Sequence, residues 1–171
     1  MNFRRKLTAA LAGVLVAPLL VVVMPTSPAS AHGYVSSPAS RQAQCARGQV
    51  SCGDIKYEPQ SVEAPKGSTA CNGGGSRFAE LNNDGKGWKV ASVGQTATFN
   101  WTFTARHRTA NYEYFVNGRK VATFDGGNQQ PPATVSHKVN LGAKGKLKVL
   151  ARWNIGDTAM AFYSCIDVQA S

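Results

Sequence analysis

Apolar and polar residues alternate along most of the chain beyond residue 94. Because successive side chains of a strand point to opposite faces, this period predicts strands with one buried face. Asn117-Gly118 lies between two such segments and favours a tight hairpin turn. The predicted strands are 97–103, 112–116, 120–124, 135–141, 147–153 and 162–168.

Five or six short strands separated by turn residues predict an all-β fold. We expect an immunoglobulin or fibronectin III-like antiparallel β-sandwich, and the pattern indicates no amphipathic helix of any length. From Gly33 to Gly94 there is little periodicity and much Gly, Pro, Ser and Asn. An irregular stretch of this length inside a domain usually has a function. The sequence therefore predicts a long loop insertion after the first strand.

The N-terminus has the three parts of a secretory signal. Basic residues 4–6 precede an apolar segment, 7–24, and Ala29-Ser30-Ala31 is a small-residue cleavage site. We therefore expect residues 1–31 to be a signal peptide and residues 32–171 to be one secreted, extracellular domain. The apolar segment is long enough that an uncleaved membrane anchor is the alternative. After cleavage no membrane association is expected.

Export would place the four cysteines in an oxidising compartment, where an even count predicts two disulfides. Three pairings are possible. The short polar turn between Cys45 and Cys52 favours a local bridge, which leaves Cys71 to pair with Cys165. A zinc site is the other interpretation of four cysteines, but the sequence contains no Cys-x-x-Cys pair.

The chain is basic, with a formal net charge of +10. The signal peptide carries three of these charges, so residues 32–171 retain +7. The basic residues are scattered along the sequence, and no recognition helix or RNA-binding motif accompanies them, so no nucleic-acid partner is expected. The charge favours solubility or attraction to an anionic wall surface.

His32 would become the first residue of the mature chain. Its free α-amine and its imidazole could then chelate one metal, since an amine of pKa about 7.7 to 8.0 loses its proton readily to a metal. His107, just past the 97–103 strand, could add a third nitrogen, and such a set suits Cu(II). The alternatives are a chance N-terminal histidine and a solvent-exposed His107. His137 shares a strand face with Val135 and Val139 and is expected to be packed.

Four blocks of sequence match one known family in order. Together they resemble the bacterial lytic polysaccharide monooxygenases of auxiliary activity family 10, formerly called chitin-binding proteins, and the resemblance runs from His32 to Val168. The blocks are His32-Gly33-Tyr34-Val35 with Ser37-Pro38-Ala39-Ser40-Arg41, Tyr57-Glu58-Pro59-Gln60-Ser61-Val62-Glu63, Thr104-Ala105-Arg106-His107 and Asp157-Thr158-Ala159-Met160-Ala161-Phe162-Tyr163.

The resemblance implies a histidine brace for one copper ion, formed by the amine and imidazole of His32 and by His107. It places Ala105 and Phe162 at the two axial positions and Glu63 close to the metal as further catalytic residues. A flat polar face would meet the substrate, with Met160 where chitin-active members commonly carry Asn. The implied substrate-binding residues are Tyr57, Glu58, Pro59, Glu63, Asp157 and Met160.

The activity that the resemblance implies is oxidative cleavage of crystalline chitin at C1. It would consume O2 or hydrogen peroxide and electrons from an external reductant, and the protein is expected to act as a monomer. A cellulose-active monooxygenase, a non-catalytic chitin-binding protein and a copper carrier remain as alternatives. A glycosidase using Glu63 and Asp157 is not favoured, because nothing in the sequence places these carboxylates at a hydrolytic separation.

Overall fold

The computed structural model describes residues 31–171, so the predicted signal peptide lies outside the described residues except for Ala31. No helix of this part of the chain has the length and apolarity needed to cross a membrane. One α-helix, α1, covers Arg41–Ala46, and 3-10 turns cover Asp54–Lys56 and Ala79–Asn82. The strands are β1 His32–Ser37, β2 Glu63–Pro65, β3 Ala91–Val93, β4 Thr96–Ala105, β5 Thr109–Val116, β6 Arg119–Gln129, β7 Thr134–Asn140, β8 Gly145–Ile155 and β9 Met160–Ala170.

The strands form two sheets that enclose a core, which confirms the predicted β-sandwich. The smaller sheet has the order β1-β4-β7, and the larger has the order β2-β9-β8-β5-β6. All of these pairs are antiparallel. One pair differs from the predicted antiparallel arrangement. Strand β3 runs parallel to β9 and pairs with its last residues, whereas β2 pairs with its first residues. Aromatic side chains from both sheets fill the space between them: Phe99, Trp101, Tyr114, Trp153 and Phe162 are fully buried.

Strand β8 is buried on both faces, which the alternating pattern does not predict. Its inner residues Val149, Ala151 and Trp153 pack in the sandwich core as expected. Leu150 and Arg152 point the other way and are also buried. The reason is that the insertion between β1 and β4 covers this part of the larger sheet with a second apolar cluster, which includes Leu150.

The insertion contains the helix α1, which the sequence did not predict. Three of its five buried side chains are polar, so it lacks the apolar stripe by which an amphipathic helix is found. The Gln42 amide donates to the carbonyl oxygen of Tyr163 at 2.7 Å, and the Gln44 amide donates to that of Lys89 at 2.9 Å. The Ser40 hydroxyl accepts from the Ala43 amide and caps the helix N-terminus. Side-chain hydrogen bonds to the backbone therefore hold this helix in place together with the packing of Cys45 in the second apolar cluster.

Arg41 and one of the two disulfides, Cys71–Cys165, attach the insertion to the sandwich, while the other, Cys45–Cys52, lies within the insertion. The guanidinium of Arg41, buried at 1% exposure, donates to both carboxylate oxygens of Asp167 on β9, at 2.8 and 2.9 Å. It also donates to Asp84 and to the Leu81 carbonyl oxygen. The disulfides join Cys45 to Cys52 and Cys71 to Cys165, as predicted.

Candidate metal centre and substrate face

His32 and His107 lie at the same end of the sandwich because β1 pairs with β4. His32 is opposite Ala105, the last residue of β4, and His107 follows two residues later. We call this end of the molecule the histidine end. Ala31, which immediately precedes His32, is fully buried and belongs to the sandwich core.

The position of β1 depends on Gly33. A Cβ atom at this residue would lie 2.5 Å from Cδ1 of Phe103, closer than real Cβ contacts allow. The absence of a side chain lets the backbone next to His32 approach the aromatic core. The Gly33 amide donates to the Gln60 carbonyl oxygen at 3.1 Å, which ties the 57–63 segment to the same place.

His107 has one direct side-chain partner in the neighbouring loop. Its Nε2 lies 2.8 Å from Oδ1 of Asp157, and the two side chains are 26% and 44% exposed. The hydrogen bond from the imidazole holds the pKa of the Asp157 carboxyl below its usual value. The Gly156 amide donates to the Arg108 carbonyl oxygen at 2.7 Å, so the two loops are also joined through their backbones.

Phe162 forms the apolar floor next to His32. Its ring is fully buried, lies 6.3 Å from the His32 ring, and packs against Trp153 at 5.0 Å between ring centroids. Glu63 on β2 pairs in register with Phe162. Glu63 and His32 line one cavity of about 380 Å³, together with Glu58, Asn72 and Arg77.

The predicted substrate residues surround these groups. Tyr57 follows the 3-10 turn Asp54–Lys56, is 77% exposed, and carries the Lys56 ammonium over its ring at 4.6 Å. Glu58 forms an ion pair with Arg77, and Pro59 is half-buried. Met160, at the start of β9 and opposite Pro65, is also half-buried.

Arg77 is a residue of the site that the sequence did not indicate. Besides its ion pair with Glu58, its guanidinium stacks on the Phe78 ring at 4.4 Å and borders the cavity beside His32. The residues that precede it, Gly73-Gly74-Gly75-Ser76, show no periodicity. Such a context gives no signal that would single out one arginine.

The side chains alone do not form a full coordination sphere. Among residues 31–171, no group of three or more His, Cys, Asp or Glu side chains is placed to hold a metal. Two imidazoles are available, and the main-chain nitrogen of His32 becomes a third donor only when the bond to Ala31 is cut. The resulting set consists of nitrogen alone with an aromatic ring beside it, and it fits copper.

Comparison with known proteins gives consistent matches over the described chain. The family model described as lytic polysaccharide mono-oxygenase, cellulose-degrading, matches residues 32–168. A lytic chitin monooxygenase of Streptomyces ambofaciens is 58% identical over 162 residues, which cover 94% of this chain and 94% of that protein.

Solved structures agree in fold as well. A lytic polysaccharide monooxygenase of Jonesia denitrificans has a TM-score of 0.80 at 48% identity, over 82% of this chain and 100% of that one. A lytic polysaccharide monooxygenase of auxiliary activity family 10 from Streptomyces lividans has a TM-score of 0.73 at 40% identity, over 81% and 99% of the two chains.

Proposed function

The chain belongs to the lytic polysaccharide mono-oxygenase family, and from that premise we propose that it is a secreted copper enzyme that oxidises crystalline chitin at C1. The observation that carries the proposal is the pairing of His32 with Ala105, which brings the first mature residue and His107 to one end of the sandwich. O2 or hydrogen peroxide and an external reductant are the co-substrates, and the enzyme acts as a monomer.

One copper ion would be held by the α-amine and imidazole of His32 and by the imidazole of His107. When bound, copper supplies the one-electron chemistry that turns the oxygen co-substrate into an oxidant strong enough for a sugar C–H bond. If His107 ligates through Nε2, its contact with Asp157 is exchanged for the metal. Asp157, ionised and partly exposed, is then free to accept hydrogen bonds from the polymer.

The remaining residues act by shape and by proton exchange. Phe162 is fully buried and keeps water from one side of the site, while Ala105 limits access on the other. Glu63 borders the cavity beside His32, where its carboxyl can hold or release a proton as the oxygen co-substrate is reduced. Arg77, paired with Glu58, closes the rim of that cavity.

Chitin suits this face better than cellulose. Within residues 31–171, the large hydrophobic side chains that are exposed are Tyr57 and Val90, so the face offers one aromatic ring. Among its polar groups, Glu58 and Asp157 can accept hydrogen bonds from the amide N–H of chitin. The 58% identical relative carries chitin in its name, which also supports this choice. Cellulose remains the second candidate because the family model is described by that substrate.

The copper site is tested with the mature protein and two variants. We expect tight binding of one Cu(II) with nitrogen coupling in the electron paramagnetic resonance spectrum. His107→Ala, or an extra Ala placed before His32, should weaken binding by at least about a hundredfold through loss of one nitrogen donor. His137→Gln is the matched control, since it removes a histidine at a distance from the site. Unchanged affinity in His107→Ala would show that this residue is not a ligand.

The substrate is tested by incubating β-chitin and cellulose side by side with equal copper and ascorbate. We expect mass spectrometry to detect chitooligosaccharides ending in aldonic acids, the products of C1 oxidation. Oxidised products from cellulose alone would replace chitin by cellulose and leave the copper site intact. Binding to chitin without any oxidised product would indicate a non-catalytic binding protein.

A further inference from the structure

Basic residues that are scattered in the sequence gather at the end of the sandwich opposite the histidines. We call this the distal end; it is formed by the turns at 117–118 and 141–144 and by the first residues of β8. Two basic residues there, Lys120 and Lys148, are paired with acids. Six others, five of them exposed, form what we call the distal patch: Lys86, Lys89, Arg119, Lys138, Lys144 and Lys146.

Nothing in the described chain neutralises the distal patch. Among residues 31–171, none of its six members forms an ion pair. The nearby acids are already bound: Asp84 by Arg41 and Lys148, and Asp167 by Arg41. The patch therefore presents an uncompensated positive field to solvent.

Several members of the patch lie close together. Lys144 immediately precedes β8, and Lys146 is the second residue of that strand. The guanidinium of Arg119 lies against the 141–144 turn, since a Cβ on Gly142 would come within 2.9 Å of its Nη2. Lys146 borders a groove of about 820 Å³ whose lining also includes Trp88, a residue between Lys86 and Lys89 in the sequence.

We propose that the distal patch binds a linear polyanion of the cell envelope, a polymer of polyols joined by phosphodiester bonds. Regularly repeated phosphates match a row of exposed, unpaired cations, and the release of condensed counterions drives such binding. A nucleic acid fits less well, because readers of duplex grooves insert a helix or ribbon. Here the one α-helix of the described chain has six residues, five of them buried. This inference depends on the proposed function in one respect only, which is that the protein is exported and so reaches the cell envelope.

The position of the patch leaves the histidine end free. Strand β8 runs from Gly145 at the distal end to Ile155 beside the histidine end, and eleven extended residues span roughly 35 Å. Most acids that are not bound by Arg41, Lys120 or Lys148 lie toward the histidine end or in the insertion, for example Glu58, Glu63 and Asp157. The protein can therefore be held by a polyanion at one end and meet chitin with the other.

The test uses the mature protein, poly(glycerol phosphate) as the probe, and polygalacturonate and duplex DNA as comparison polymers. Arg119→Gln/Lys144→Gln/Lys146→Gln should weaken binding to poly(glycerol phosphate) by about tenfold at low salt and flatten its salt dependence. The control Arg47→Gln/Lys56→Gln/Arg106→Gln removes equal charge from exposed sites outside the patch. It should change affinity by less than about threefold.

Other results would overturn the proposal. No binding of the unmodified protein, or equal losses in the two triple variants, would show that the patch is not the site. Tighter binding to DNA or to polygalacturonate than to poly(glycerol phosphate) would assign the surface to another polymer. Copper affinity and chitin oxidation, measured on the same samples, should be the same in the distal variant and the unmodified protein. The copper affinity and chitin oxidation of the unmodified protein test the proposed function separately.

Discussion

Gly33 is the residue whose substitution most directly tests how His32 is positioned. Gly33→Ala would place a Cβ 2.5 Å from the Phe103 ring, so β1 must shift and carry His32 with it. We expect copper affinity to fall by about tenfold and the protein to lose about 1–3 kcal/mol of stability, as overpacked sites do. Isothermal titration and urea unfolding measure the two effects.

The control for Gly33→Ala is Gly94→Ala, where the nearest atom to an added Cβ is 3.6 Å away, an ordinary contact. That variant should bind copper as the unmodified protein does. If both variants kept full affinity, the close approach at Gly33 would not determine where His32 lies.

His137 makes stability depend on pH. The Tyr114 hydroxyl accepts a hydrogen bond from the Trp101 indole and lies 2.8 Å from Nδ1 of the buried His137, to which it can donate when the imidazole is neutral. Burial lowers the pKa of His137 from 6.5 to about 4. Because the unfolded chain binds a proton at pH values where the folded one does not, stability should fall as pH drops from 6.5 towards 4.

The pH effect is measured by urea unfolding at pH 7 and pH 4.5. The unmodified protein should lose about 2 kcal/mol more between these values than His137→Gln, whose side chain cannot titrate there. Both proteins share every other titrating group, so the difference isolates this histidine. Equal losses in the two proteins would contradict the lowered pKa.

At the scale of elements, the insertion is held to β9 by the pairing of β2 and β3, by Arg41 and by the Cys71–Cys165 disulfide. That bridge closes 94 residues, whereas Cys45–Cys52 closes seven. In the chain-entropy account, the longer loop stabilises by about 4.7 kcal/mol and the shorter by about 2.5. Cys71→Ala/Cys165→Ala should therefore lower the free energy of unfolding by about 2 kcal/mol more than Cys45→Ala/Cys52→Ala. Urea titration of both double variants checks this, and equal losses would argue against the entropic account.

The elements differ in how well the sequence predicts them, and burial explains the difference. Strands β4, β5, β7 and β8 have a face in the sandwich core, so their apolar residues alternate and were predicted. Helix α1 and strands β2 and β3 were not, because they are short and are held by polar side chains or by backbone pairing to β9. The spacing of apolar residues gives no information about polar side-chain contacts or about backbone pairing.

At the scale of the whole molecule, residues of distinctive chemistry could be grouped from the sequence, whereas residues that only the fold brings together could not. The chemistry of a nitrogen-only site made His32 and His107 candidates, the resemblance of the four sequence blocks paired them, and the structure places both residues at one end of the sandwich. The distal patch could not be predicted from the sequence. Arg119 and Lys144 are far apart along the chain, and only the fold places the Arg119 side chain against the 141–144 turn. Arg77 was missed because the sequence before it shows no periodicity that would single out this residue.

The burial of Ala31 bears on whether cleavage after this residue precedes or follows folding. Its side chain is fully enclosed in the core of the sandwich, directly before His32. A protease must draw its target into an extended conformation, which a residue enclosed in a folded core cannot adopt. If the chain is cut after Ala31, the cut therefore comes before the sandwich closes. In that case the α-amine that we propose as a copper ligand is formed on an unfolded chain, and folding afterwards brings it to the same end of the sandwich as His107.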